Sequence, residues 1–199
     1  MAVSAEQRHE AHTATGLDNR KLGMWAFLGS ECLFFGALIT TYMLYRNASL
    51  VGPFPHEIYD IPFTSVSSFV LLMSSLTMVL ALAAIQRGDD VKLRIWLLAT
   101  AFLGMTFLGG QVYEFTAFVK EGLTITRNVF GSSFFVLTGF HGLHVTVGVL
   151  LLLHAFGMSA TGRLHQQDSL RIELTGLYWH FVDIVWVVIF TVVYLIPSG

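Results

Sequence analysis

Charge is scarce in this chain and cysteine is nearly absent. Charged residues make up 12% of 199 residues, against roughly 25% in ordinary soluble domains. The net charge is −2, and no basic stripe marks a nucleic-acid-binding surface. The single cysteine, Cys32, lies inside an apolar run. A disulfide framework and a cysteine-based zinc site are therefore both excluded. Residues 1–21 are polar, have no apolar signal core, and read as a solvated cytoplasmic tail. No internal repeat stands out, and no soluble domain fits beside the apolar segments. Alternating ten-residue segments of the kind that build membrane β-barrels are missing too.

Apolar sequence is abundant. Hydrophobic residues reach 54%, with 17 Phe, and the mean hydropathy is +0.66. This composition identifies an integral membrane protein. A membrane helix needs about 20 mostly apolar residues. Five segments qualify, at about 22–45, 64–85, 93–118, 129–157 and 172–196. The expected fold is an all-α bundle of five transmembrane helices filling residues 22–199. With five spans the termini lie on opposite sides. The tail and the 2–3 and 4–5 loops carry Arg8, Arg20, Lys21, Arg87, Lys92, Arg94, Arg163 and Arg171. The other side carries Arg46, Lys120 and Arg127. The excess of positive residues predicts a cytoplasmic N-terminus and an outer C-terminus.

Ionisable groups are costly in hydrocarbon and call for protein or water partners. The candidates are Glu31, Glu114, His141, His144, His154, His180 and Asp183. At about 1.5 Å per residue, Glu31, His141, His144, His180 and Asp183 fall near the midplane, and Glu114 falls near the outer end. His141 and His144 are spaced i, i+3, as are His180 and Asp183, and Gln111 and Glu114. Each pair can share a helix face. Small residues flank them: Gly139, Gly142 and Gly148; Gly29, Ser30 and Gly36; Gly104, Gly109 and Gly110. Such residues let membrane helices approach closely.

Four readings fit these residues. Three histidines and carboxylates at similar depth could assemble a metal site, since imidazole is a common ligand. His141 and His154 have the spacing of a haem-binding pair, although the fifth span offers no mate for His180. A buried hydrogen-bond network could fix helix register. A proton-linked role also suits imidazoles and carboxylates in a membrane. The network reading is favoured, because every charged member has a partner within reach. Trp25, Trp96, Tyr42 and Tyr45 read as interface anchors, and Met73, Met78 and Met105 as packing or lipid-facing residues.

Four segments in order, "SECLFFG" (30–36), "GQVYEF" (110–115), "TGFHGLHVTVG" (138–148) and "YWHFVDIVWVVIFTVVY" (178–194), resemble subunit III of the haem–copper oxidases in its short five-helix bacterial form. The resemblance implies a non-catalytic subunit of a proton-pumping respiratory terminal oxidase in the bacterial cell (inner) membrane. The complex reduces O₂ to water. Such a subunit holds no haem, copper or other metal of its own, since these sit in partner subunits. It packs mainly against subunit I, with subunit II and a small subunit IV as further partners. It is associated with bound phospholipid, sustained turnover and proton uptake into subunit I. The family carboxylate of "SE-x-x-FF" matches Glu31. "HGLH" matches His141 and His144, and "WHF-x-D" matches His180 and Asp183. Longer members have two further helices at the start, which this chain lacks, so lipid contacts made by those helices do not carry over. Both cytochrome c oxidases and quinol oxidases contain such a subunit; Glu31 and "YWHFVDIVW" lean toward the cytochrome c branch. A small proton-coupled transporter is the alternative from another class. It is disfavoured by the lack of an inverted repeat or a broken helix pair.

Overall fold

A computed structural model of the chain describes residues 18–46, 48 and 60–196. The described residues are helical, with no strand among them. The helices are α1 (Asn19–Tyr45), α2 (Ile61–Gln86), α3 (Asp90–Lys120), α4 (Val129–Ala160) and α5 (Ser169–Phe190). A short 3₁₀ turn, Gln166–Asp168, leads into α5, and a π turn, Thr191–Leu195, continues it. Five helical segments are long and apolar enough to cross a membrane, so the chain is a multi-pass membrane protein. Most of the expected tail lies outside the described residues.

The helices overrun the apolar spans by up to a turn because polar residues cap them. Asp18, Asp60, Asp89 and Asn128 each accept a backbone N–H from the first turn of α1, α2, α3 and α4. Each satisfies a donor that has no partner within its helix. The α2–α3 connection is a Schellman turn. Gly88 sits at φ 73°, its N–H donates to Ile85 O, and the Asp89 N–H donates to Ala84 O. Only glycine takes that conformation freely. Gly122 and Gly162 close α3 and α4 with the same bonds.

The helices form a ring in the order α1, α4, α3, α2, α5, with a further contact across it between α4 and α5. Apart from Ala101, beside Thr100, the buried residues of α3 recur every three or four positions: Leu93, Leu97, Thr100, Gly104, Phe107, Gln111, Glu114, Phe118. That is the seam of left-handed helix packing. On α1 the seam thins to Leu28, Phe35 and Tyr42. Tyr42 was expected at the membrane interface; it is only 1% exposed and packs beside the Phe130 ring. Trp25 and Tyr45 do lie exposed. The difference is rotational: Tyr42 falls in line with Phe35, seven residues back, and so faces inward.

Packing is close around Trp179 of α5. A Cβ on Gly104 would lie 2.6 Å from its ring, and one on Gly148 would lie 2.7 Å from it. The indole is therefore held between the bare backbones of α3 and α4. Gly110 and Gly142 are also contact positions, whereas Gly29, Gly36, Gly109 and Gly139 have nothing within 4 Å of an added Cβ.

Candidate functional site

Glu31 of α1 and His144 of α4 form the first polar contact. His144 Nδ1 lies 2.7 Å from Phe140 O, and Nε2 lies 3.1 Å from Glu31 Oε2. A carbonyl only accepts, so Nδ1 carries a hydrogen. Nε2 and Oε2 must then hold one proton between them. Either a carboxylic acid donates to neutral imidazole, or an imidazolium donates to carboxylate. Phe35 meets the His144 ring edge-on, with centroids 4.9 Å apart. Tyr178 O–H donates to the His144 backbone carbonyl at 3.0 Å.

His141 takes different neighbours. Three residues along a helix turn about 60° short of a full circle, which is enough to separate the two imidazoles. His141 is fully buried. It stacks on Trp186 with centroids 4.9 Å apart and meets Phe107 edge-on at 5.9 Å. Neither of its ring nitrogens has a hydrogen-bond partner among the described residues. His154 lies exposed on the far part of α4.

On α5, His180 and Asp183 converge on Ser75 of α2. His180 Nδ1 lies 3.0 Å from Ser75 Oγ, and Ser75 donates to Asp183 Oδ2. The hydroxyl has one proton, so when Ser75 gives it to Asp183 it accepts from His180 Nδ1–H. The other Asp183 oxygen, Oδ1, is buried without a partner among the described residues.

Gln111 and Glu114 of α3 also part company. Gln111 Nε2 donates to Thr138 O of α4 at 2.7 Å, lying across the bare backbone of Gly142. Glu114 Oε1 accepts from Thr64 at 2.7 Å and from Tyr194 at 3.0 Å. The π turn of α5 carries Tyr194. Arg46, at the end of α1, donates to Val192 O and Ile196 O of the same segment, at 3.4 and 3.3 Å.

The residues that complete these contacts are serine and threonine hydroxyls, two indoles and two tyrosines, none of which carries a charge that sets it apart in an apolar run. Trp179 Nε1 donates to Ser74 at 2.9 Å, and Trp186 Nε1 donates to Ser68 at 2.8 Å. Each serine passes its own proton to a carbonyl of α2. The available signal was the repeat of serine pairs 67–68 and 74–75, seven residues apart in an apolar span. Among the described residues, no group of three or more His, Cys, Asp or Glu is arranged to hold a metal ion. The three midplane histidines point to three different partners.

The sequence model of the family described as "Cytochrome c oxidase subunit III" matches residues 2–198. The "Cytochrome c oxidase subunit 3" of Bacillus sp. strain PS3 is 40% identical over 177 residues, covering 89% of this chain and 86% of that one. The "Quinol oxidase subunit 3" of Bacillus subtilis strain 168 is 38% identical over 178 residues, covering 89% and 87%. The "Cytochrome bo(3) ubiquinol oxidase subunit 3" of Pseudomonas aeruginosa is 37% identical over 201 residues, covering 100% and 95%. By this match over nearly its whole length, the chain belongs to the cytochrome c oxidase subunit III family.

Proposed function

We propose that this chain works as subunit III of a proton-pumping respiratory haem–copper terminal oxidase, with cytochrome c as the electron donor of the complex. The observation that carries the reading is the family match from residue 2 to residue 198, which takes in all five helices. Haem and copper, which supply the oxygen chemistry, reside in partner subunits. Glu31, Gln111, Glu114, His141, His144, His180 and Asp183 are here the struts of the bundle. Six of them bond across to another helix, and His141 supports Trp186 by stacking. Polar links between helices hold register where lipid gives no drive for association.

The tail faces the bacterial cytoplasm by the positive-inside bias. Subunit I is the main partner, with subunits II and IV beside it. A groove of about 250 Å³ between α1 and α4, walled by Leu38, Val129 and Val136, takes an acyl chain of a phospholipid. The donor is the part of the reading with a competitor, because relatives of both kinds match at 37% to 40% identity.

Purification of the tagged chain from its native membrane tests the proposal. The expected product contains a haem-bearing subunit and oxidises reduced cytochrome c. Oxidation of quinol alone would assign the complex to the other branch. Absence of any haem-bearing partner would overturn the oxidase reading. Deleting the chain should leave O₂ reduction intact at first, with faster decay of turnover over time.

A further inference from the structure

A line of protonatable groups runs along one face of α5. Glu173, His180 and Asp183 follow one another at seven and three residues. Glu173 sits at the start of the helix, about one-third exposed and paired with Lys21 of α1 at 2.7 Å. Between Glu173 and His180 lies a cleft of about 240 Å³. Met78 and Leu82 of α2 form one wall, and Gly176 opens the other. Val79 and Leu177 make the rest of the lining apolar, with Glu173 and His180 as its polar ends; waters, each with a liquid share of roughly 30 Å³, find their partners at those ends. His180 lines the cleft. Its Nδ1 faces Ser75, while Nε2 makes no bond to another described residue. Behind Ser75 stands Asp183, only 3% exposed, with Oδ1 unpartnered.

We infer that the α2–α5 cleft is a blind proton well: a water-filled entry at the tail end of the bundle that delivers protons through His180 and Ser75 to Asp183 and goes no further. The transfer balances. A hydronium ion in the cleft protonates His180 Nε2. His180 passes its Nδ1 proton to Ser75 Oγ as Ser75 passes its own proton to Asp183 Oδ2. The carboxylate becomes a carboxylic acid, the imidazole is left as its Nε2–H tautomer, and the reverse transfer, which returns a proton to the cleft, restores both. The line stops at Asp183 because none of the described residues accepts from or donates to Oδ1.

Other charges are spoken for. Residues 61–86 of α2 contain no ionisable group. Facing from α4, His144 is engaged by Glu31 of α1, and His141 is enclosed by aromatic rings. Glu114 of α3 is held by Thr64 and Tyr194, and Asp90, Lys92 and Arg94 of α3 lie in its first turns. This goes beyond the bracing role proposed above and fails separately from it, because co-purification with an oxidase does not depend on the well.

Infrared spectroscopy of the purified complex tests it. The carboxylic acid C=O band that Asp183→Asn removes should appear as pH falls and should shift within minutes of transfer to D₂O. His180→Phe and Ser75→Ala should each slow that shift at least tenfold. Gly176→Leu leaves the relay residues in place but fills the cleft, since a Cβ there already lies 3.3 Å from Met78 Cε; it should slow exchange as well. Three results would overturn the inference: no band assignable to Asp183 at any pH, no exchange over hours in the unmodified protein, or exchange unaffected by Gly176→Leu.

Discussion

The most apolar 18-residue stretches of the first and last helical segments are nearly equal in mean hydropathy, 1.6 for α1 and 1.8 for the α5 segment, yet 11% of the first stretch and 56% of the second lie buried. Apolarity therefore does not decide which helix occupies the centre. What separates them is how each uses small and aromatic residues. α5 brings two indoles inward, and Gly104 and Gly148 of its neighbours make room for one of them. α1 has its own glycines, but Gly29 and Gly36 face open space. Its hold on the bundle comes from three large side chains in one line, the Glu31–His144 contact, and an anchor near each end, Lys21 to Glu173 and Arg46 to the end of α5.

The strongest way to break the contrast is to add volume to each helix environment. Gly148→Leu forces a side chain into Trp179 and should cost on the order of 1–3 kcal/mol or more. Folded protein recovered in detergent should fall sharply. Gly36→Leu on α1 should leave the isolated chain within about 0.5 kcal/mol of the original. Equal losses from both changes would erase the distinction between the two helices.

His141 gives the next test. It lies in the central layer with neither nitrogen bonded, and a buried unsatisfied group costs about 1–3 kcal/mol. His141→Phe keeps a ring against Trp186 and removes the unpaired nitrogens. The thermal midpoint should rise, by an amount equivalent to about 1 kcal/mol. A clear fall would mean that the imidazole makes a bond within the assembled complex.

The α1 contact should respond less. Hydrogen bonds between membrane helices average about 0.6 kcal/mol. Glu31→Gln can still donate to His144 Nε2 and should change stability little, whereas Glu31→Leu should lose that increment and loosen α1. Limited proteolysis near residues 20–22 should report the difference. Comparable loss from both would show that charge, rather than the hydrogen bond, joins the helices.

The smallest effect concerns the exposed start of α3. Hydrogen bonds from the Lys92 side chain and backbone hold the Asp89 carboxyl below its usual range. Its folded pKa is lower than its unfolded one, so its stabilisation is present above the unfolded value and disappears as pH falls through the folded one. Amide protection at Lys92 and Leu93 should drop in that acidic window. Asp89→Asn should flatten the pH dependence while preserving the cap.

Much of the candidate site was legible because charge is so rare here. Glu31, His141, His144, His180 and Asp183 stand out in runs of Leu, Val and Phe, and spacing placed each pair near one face. Partner choice was not legible. Glu31 had three imidazoles within its depth and meets His144 alone among them. Ser75, which joins His180 to Asp183, is uncharged and sits in a helix without ionisable residues.

By itself the sequence determined that five helices are long and apolar enough to cross a membrane, and which buried groups need partners. Hydrophobic length and the cost of burying charge act locally, so they can be read from a single string. The tertiary structure alone decided which helix is central, which glycines touch a neighbour, and which polar side chains meet. In lipid a helix is apolar on every side, so periodicity does not separate the core face from the outer face. That choice is made by contact between surfaces: a Trp179 ring fits where two helices have lost their Cβ atoms, and the remaining contacts follow from the rotation this sets.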